Sequence, residues 1–315
     1  MFSLKKVIYV REEDIPALLS VGKEHLYVWE KQEGILHENE AAEILYRISA
    51  DIHMHGSDIK EGKIELIADC DGVLKIRRDA LLAVNSLGEM MIASRHGDFP
   101  VKKGDKIAGT RIIPLVIEKS KMDKAEKVAG TKPIFSILPY RSKKVGIITT
   151  GSEVQKGLIK DTFTPVLKEK LDEFSCQILG QTLPGDERSQ ITSDILSFID
   201  QGADMVICSG GMSVDPDDRT PGAIKDTGAE IVTYGAPVLP GAMLLLSYYQ
   251  NNDKIIPILG LPGCVMYARR TVFDLILPRI MADDRICADE IASYGEGGLC
   301  LNCDVCTFPN CGFGK

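Results

Sequence analysis

From Lys143 onward the chain alternates short apolar runs with amphipathic stretches. VGIITT (145–150) predicts a buried strand ending at Gly151, and Pro165 to Phe174 spaces its apolar residues along one helix face. CQILGQTL (176–183) predicts the next strand. RSQITSDILSFIDQ predicts a helix preceded by Asp186 and ended by Gly202. DMVICSGG (204–211) reads as a strand running into glycines, and TPGAIKDTG (220–228) as a helix with Pro221 in its first turn. IVTYGA, LLLSYY and KIIPILGLPG (254–263) predict further strands, and CVMYARRTVFDLILPRIM one long helix. This alternation predicts a three-layer αβα domain over 143–285, a mostly parallel sheet with helices on both faces. Ligands of such sheets sit at the carboxyl ends of strands, where Gly151, Gly210-Gly211 and Gly260 to Gly263 fall.

The front of the chain, residues 1–130, lacks that regularity. Asp14 is placed to cap a helix with Pro16 in its first turn. His37 to Ala50 carries Ala41, Ile44, Leu45 and Ile48 at helical spacing. KIELIA (63–68), GVLKIR (72–77) and EMMIAS (89–94) predict strands, with a short helix capped by Asp79 between the last two. Gly104-Asp105 reads as a turn between strands in 101–118. The sum is a small α+β or β-barrel-like module. Residues 131–142, broken by Pro133 and Pro139, read as a linker, and 286–315 as a tail.

Composition narrows the class. Hydrophobic residues are 44% and charged residues 26%, the balance of a soluble globular protein. The absence of an apolar run of about 18 residues argues against a membrane span, and MFSLKKVIYVREEDIP does not read as a signal peptide. The expected location is the cytoplasm. A net charge of −8 argues against a nucleic-acid partner. A small phosphorylated ligand remains compatible, because backbone N–H groups at a helix N-terminus can hold it.

Candidate chemistry lies in three loops. The first is Thr149-Thr150-Gly151-Ser152-Glu153-Val154 with Gly157 to Thr162 behind it. The second is Ser209-Gly210-Gly211-Met212-Ser213-Val214 with Asp218-Arg219-Thr220-Pro221-Gly222-Ala223. The third is Leu261-Pro262-Gly263. In this order and spacing they resemble the molybdopterin-binding domain shared by molybdopterin adenylyltransferases, molybdopterin molybdotransferases and competence-damage proteins. The first loop is similar to the family's T-G-D/S-E-L/V, the second to S-G-G-V-S-V and D-x-T-P-E-A, and the third to L-P-G-N-P. Leu183-Pro184-Gly185-Asp186 resembles the acidic turn before the family's second helix. The likeness spans close to half the chain.

Glycines let a backbone approach an anion, and short hydroxyls donate to it. The expected binding residues are Thr150, Gly151, Ser152, Asp186, Ser209, Gly210, Gly211, Met212, Ser213, Pro262 and Gly263. Asp161, Asp218 and Glu153 are the candidate catalytic carboxylates, able to organise Mg²⁺ against phosphate; helix capping is the competing reading for Asp186 and Asp218. The resemblance implies molybdenum cofactor biosynthesis: binding of molybdopterin or its adenylate and assistance of molybdate insertion. The alternatives are a non-catalytic carrier, sensor or chaperone serving a molybdoenzyme or another maturation protein, and a nucleotide-conjugate pyrophosphatase. The resemblance also implies a homodimer or homotrimer. The chain departs from the family at Ala242, where a lysine is expected, at Phe163, where an asparagine is expected, and at Cys264-Val265, which replaces Asn-Pro.

Of nine cysteines, four crowd the end: Cys300, Cys303, Cys306 and Cys311, spaced C-x2-C-x2-C-x4-C. Thiolates at such intervals suit a [4Fe–4S] cluster or one tetrahedral Zn²⁺. His53 and His55 share one face of a strand, but two ligands do not make a site. Trp29 reads as a core or domain contact.

Overall fold

The computed structural model describes residues 11–22, 32–213 and 218–315; Trp29 lies outside them. The expected αβα half is a six-stranded sheet. Its spatial order is Gln177–Gly185, Lys144–Thr150, Met205–Ser209, Lys254–Leu261, Leu245–Asn251 and Glu230–Tyr234. The first four strands run parallel, and the last two are antiparallel additions. Alternation along each strand feeds two cores. Val145, Ile147, Met205, Ile207, Leu259 and Leu261 face one side, where helices Phe163–Asp172 and Val272–Met281 pack. Ile148, Val206, Cys208 and Ile258 face the other, covered by helices Arg188–Asp200 and Thr220–Asp226. The chain leaves Lys144–Thr150 for a neighbour on one side and then returns to a neighbour on the other. This switch point, at the carboxyl ends of the central strands, is where sheets of this kind hold ligands.

The front half is α+β rather than a closed barrel. A four-stranded antiparallel sheet (Met54–Gly56, Lys63–Ala68, Lys106–Ile112, Met90–Ser94) and a three-stranded one (Phe99–Val101, Gly72–Ile76, Phe135–Pro139) share a core with Leu45, Leu66, Leu74 and Met122. A two-stranded ribbon pairs Ile35–His37 with Val116–Glu118. The helix expected at His37 to Ala50 spans Glu38–Ser49.

Several local expectations are corrected. The linker read at 131–142 contains strand Phe135–Pro139, which pairs with Gly72–Ile76 and buries Phe135 and Ile137. Its prolines sit at the strand's margins, where missing N–H groups cost little. The long helix read from Cys264 is two pieces: a 3₁₀ turn, Gly263–Met266, and helix Val272–Met281. The break follows from a capping box in which Thr271 Oγ1 accepts from Phe273 N and Asp274 Oδ2 accepts from Thr271 N. Asp14 precedes the short helix Ile15–Ser20 but makes no side-chain cap to it; its carboxylate accepts from Arg11 N. Asp79 sits inside the first turn of helix Arg78–Asn85, not at its cap.

The tail is also part of the body. Helix Ala288–Ser293 follows the α/β domain, and Ile286, Ile291, Tyr294 and Phe313 join its core. All ten residues of helix Val272–Met281 are buried, because the front half and the tail cover the side its own sheet leaves free. Lys75 of the front half pairs with Asp284 at 2.8 Å, and Arg141 N donates to Met281 O. Among the described residues no helix is long and apolar enough to cross a membrane.

Candidate functional site

The three loops emerge at the carboxyl ends of the adjacent parallel strands ending at Thr150, Gly185, Ser209 and Leu261. Thr149 and Thr150 close an apolar strand with two buried hydroxyls that point to opposite faces. Thr149 Oγ1 accepts from Gln181 Nε2 at 3.1 Å and lies 3.5 Å from Ser209 Oγ. Thr150 Oγ1 donates to Ser209 O and meets Thr220 Oγ1, each at 3.2 Å. Gly151 then opens the short helix Ser152–Gln155, and Ser152 N donates to Asp186 Oδ2 at 2.9 Å. Asp186 thus braces the first loop instead of capping the helix that follows it, whose N-cap position is Glu187.

Asp161 Oδ1 accepts from Phe163 N and Thr164 N, and Oδ2 accepts from Gln181 Nε2 at 2.6 Å. Burial opposes its ionisation, but the Thr164 hydroxyl and amide, the Gln181 amide and the Phe163 N–H outweigh it. The carboxyl is held below the usual carboxylate range. Oδ1 orders the start of helix Phe163–Asp172, and Oδ2 ties it to the strand Gln177–Gly185.

The second loop presses its glycines against the first. A Cβ on Gly210 would stand 2.6 Å from Thr150 O, and one on Gly211 2.8 Å from Thr220 Oγ1. Both backbones have positive φ, +86° and +56°, so glycine serves the turn and the close approach together. Thr220 Oγ1 donates to Gly210 O at 2.9 Å. Met212 turns its side chain into the core beneath Gly260, while Ser213 is exposed and its carbonyl accepts from Tyr234 Oη. Asp218 Oδ2 is buried with no hydrogen-bond partner among the described residues. Burial, and then the Asp218 charge, raise the Tyr234 phenol above its ordinary value. Glu153 is exposed at the crevice rim.

Pro262 is buried and Gly263 exposed at the third loop, whose 3₁₀ turn lies against helix Phe163–Asp172 through Thr162 Oγ1 and Met266 Sδ at 3.0 Å. Cys306 shares a cavity of about 380 Å³ with Val265, Met266 and Tyr267 of that turn. Cys300, Cys303, Cys306 and Cys311 carry free thiols, Cys303 and Cys306 exposed and the other two half-buried. Among the described residues no three His, Cys, Asp or Glu side chains converge as ligands of one metal ion. That holds for the tail and for the carboxylates Asp161, Asp218 and Glu153. His55 is engaged with Asp69 at 2.7 Å.

The structure therefore gathers Thr150, Gly151, Ser152, Asp186, Ser209, Gly210 and Gly211 into one hydrogen-bonded cradle, with Ser213, Pro262 and Gly263 on its edges. Met212 contributes packing. The cradle also uses Thr149 and Thr220, which stand in the quoted motifs but not among the expected binding residues, and Thr164 and Gln181, which lie outside them. Their signal was weak: polar residues at the end of an apolar strand, within a strand, and at helix starts.

Residues 146–282 match the family described as the probable molybdopterin binding domain, and this part of the chain is a molybdopterin-binding domain of the kind found in molybdenum cofactor biosynthesis proteins. Residues 2–30 match a domain of unknown function. A molybdopterin molybdenumtransferase of Synechococcus elongatus is 25% identical over 193 residues, covering 59% of this chain and 44% of its own length. The molybdopterin molybdenumtransferase of Haemophilus influenzae is 27% identical over 236 residues, covering 72% of this chain and 54% of its own. A CinA-like protein of Mycolicibacterium gilvum is 37% identical over 79 residues, 25% of this chain and 19% of its own. The chain spans about half the length of the molybdenumtransferases it matches.

Proposed function

We propose that the crevice holds the phosphate end of molybdopterin or of its adenylate and assists molybdate insertion in the cytoplasm. One observation carries this reading: glycines Gly210 and Gly211 are pressed onto the hydroxyls of Thr150 and Thr220 at adjacent carboxyl strand ends. That arrangement leaves backbone N–H groups of the loop for an anion where no side chain intrudes, while the Thr150 and Thr220 hydroxyls, donating to Ser209 O and Gly210 O, hold the loop in shape. Ser152, Ser213 and the Pro262-Gly263 turn border the ligand, and Met212 fixes the loop from below. Asp218, with an unengaged oxygen among the described residues, and Glu153 at the rim are the carboxylates free to meet Mg²⁺. Mg²⁺ characteristically takes only one or two carboxylates beside substrate phosphates, so converging protein ligands are not required. Asp161 acts by positioning. The four tail cysteines are read as ligands of a metal, and the assembly as a homodimer or homotrimer.

The second reading is a carrier, sensor or chaperone that binds the pterin and delivers it to a molybdoenzyme or another maturation protein. It is favoured by Asp161, whose oxygens are both occupied, and by Ala242, Phe163 and Cys264 at the family's departures. The similarity to a CinA-like protein keeps a nucleotide-conjugate pyrophosphatase as a third reading. The test is titration of anaerobically purified protein with adenylated molybdopterin, Mg²⁺ and molybdate. AMP release with molybdenum incorporation supports insertion. Tight binding without AMP makes the protein a carrier. Absence of binding refutes the pterin reading, and turnover of ADP-ribose in its place would select the pyrophosphatase.

A further inference from the structure

The cysteine-rich segment, residues 299–312, has no helix or strand, yet it is held in place. Cys300 N donates to Leu239 O, Arg269 Nη1 donates to Asp304 O at 2.7 Å, and Asn310 N donates to Thr307 O. Phe308 packs on Phe99 and Phe313 with the Arg270 guanidinium 5.0 Å over its ring. Wrapped this way, the segment lines a partly open pocket of about 280 Å³ whose wall includes all four thiol-bearing residues, Cys300, Cys303, Cys306 and Cys311.

The arrangement of its thiols bears on the choice of metal. A zinc ion held by four thiolates at about 2.3 Å leaves no void, because its ligands converge on one point. Here the thiols do not converge on one point among the described residues, yet all four cysteines line one pocket. In a cubane cluster each thiolate binds a different iron, so the sulfurs surround a volume rather than a point. The rest of the wall is mostly carbon, from Leu299, Leu301, Phe308 and Phe313, with Arg269 and Arg270 supplying positive charge to an anionic thiolate cluster. The geometry points to a [4Fe–4S] cluster ligated by Cys300, Cys303, Cys306 and Cys311, next to the third loop of the pterin crevice through the cavity shared by Cys306 and Met266. This deepens the reading of the four thiols as metal ligands and stands apart from the pterin reading.

The test is iron, sulfide and zinc analysis of the full chain after anaerobic purification, repeated after incubation with ferrous iron and sulfide. About four iron and four sulfide per chain are expected, with a cluster EPR signal on reduction. Cys303→Ser and Cys306→Ser alter exposed side chains, so the fold should survive while most of the iron is lost. Cys287→Ser, outside the cavity, should keep the full complement. Stoichiometric zinc without sulfide overturns the cluster but preserves the metal reading. A chain that takes up neither metal overturns both.

Discussion

Gly210→Ala tests the cradle most directly. Its φ of +86° costs an L-residue about 1–2 kcal/mol. The new Cβ would also stand 2.6 Å from the Thr150 carbonyl oxygen and 2.8 Å from its hydroxyl, too close for either to remain in place. Thr150 ends a central strand, so relief comes by shifting the loop. That shift breaks the bonds from Thr150 Oγ1 to Ser209 O and from Thr220 Oγ1 to Gly210 O. At a net of about 1 kcal/mol each, the sum is about 3–4 kcal/mol. Thermal unfolding should fall by roughly 6–16 °C, taking about 2–4 °C per kcal/mol for a chain of this order of size. Affinity for adenylated molybdopterin, measured by titration, should fall at least about tenfold, which requires only about 1.4 kcal/mol of displacement at the site.

Gly109→Ala is the control. It lies within strand Lys106–Ile112, its φ is not positive, and a Cβ there meets nothing within 4 Å. Its stability should change by less than about 1 kcal/mol, with pterin affinity untouched. A Gly210→Ala protein with wild-type unfolding temperature and affinity would refute the argument that these glycines form the ligand's cradle.

Asp186→Ala removes the acceptor of Ser152 N and should weaken pterin binding while lowering stability by about 0.5–2 kcal/mol, read by titration and urea unfolding. Asp284→Ala strips Arg279, which is 2% exposed, of its Nε partner and Lys75 of its contact across the two halves. A loss of about 3–5 kcal/mol is expected, and a loss below about 1 kcal/mol would mean Glu290 alone satisfies Arg279. Glu65, paired with Lys106 and Lys63, is lowered to about 2. A depressed carboxylate stabilises the fold above its unfolded value and loses that contribution as pH falls through its folded value. Glu65's contribution should therefore be lost between about pH 4.5 and 2, and Glu65→Gln should remove that part of the pH dependence; NMR titration of the Glu65 carboxyl gives the direct check.

The sequence by itself determined the α/β half. Its strands are apolar on both faces, its helices carry one apolar face, and glycines punctuate the strand ends, so local pattern and tertiary role agree. The loop motifs meet at one end of the sheet because parallel strands bring their carboxyl ends to one side whatever the sequence between them. Only the tertiary structure decided what each loop residue does. Asp161 and Asp186 differ little as letters, yet one orders a helix start through Phe163 N and Thr164 N and ties it to strand residue Gln181, while the other braces a neighbouring loop through Ser152 N. The strand Phe135–Pro139 was hidden by its prolines and becomes a strand through pairing with Gly72–Ile76, a partner about sixty residues away. The cysteine spacing announced thiolate chemistry, but spacing along a chain does not fix a volume. The choice between one ion and a cluster rests on how Arg269, Phe308 and Phe313 fold the segment around its cavity, and those contacts exist only once distant parts of the chain have met.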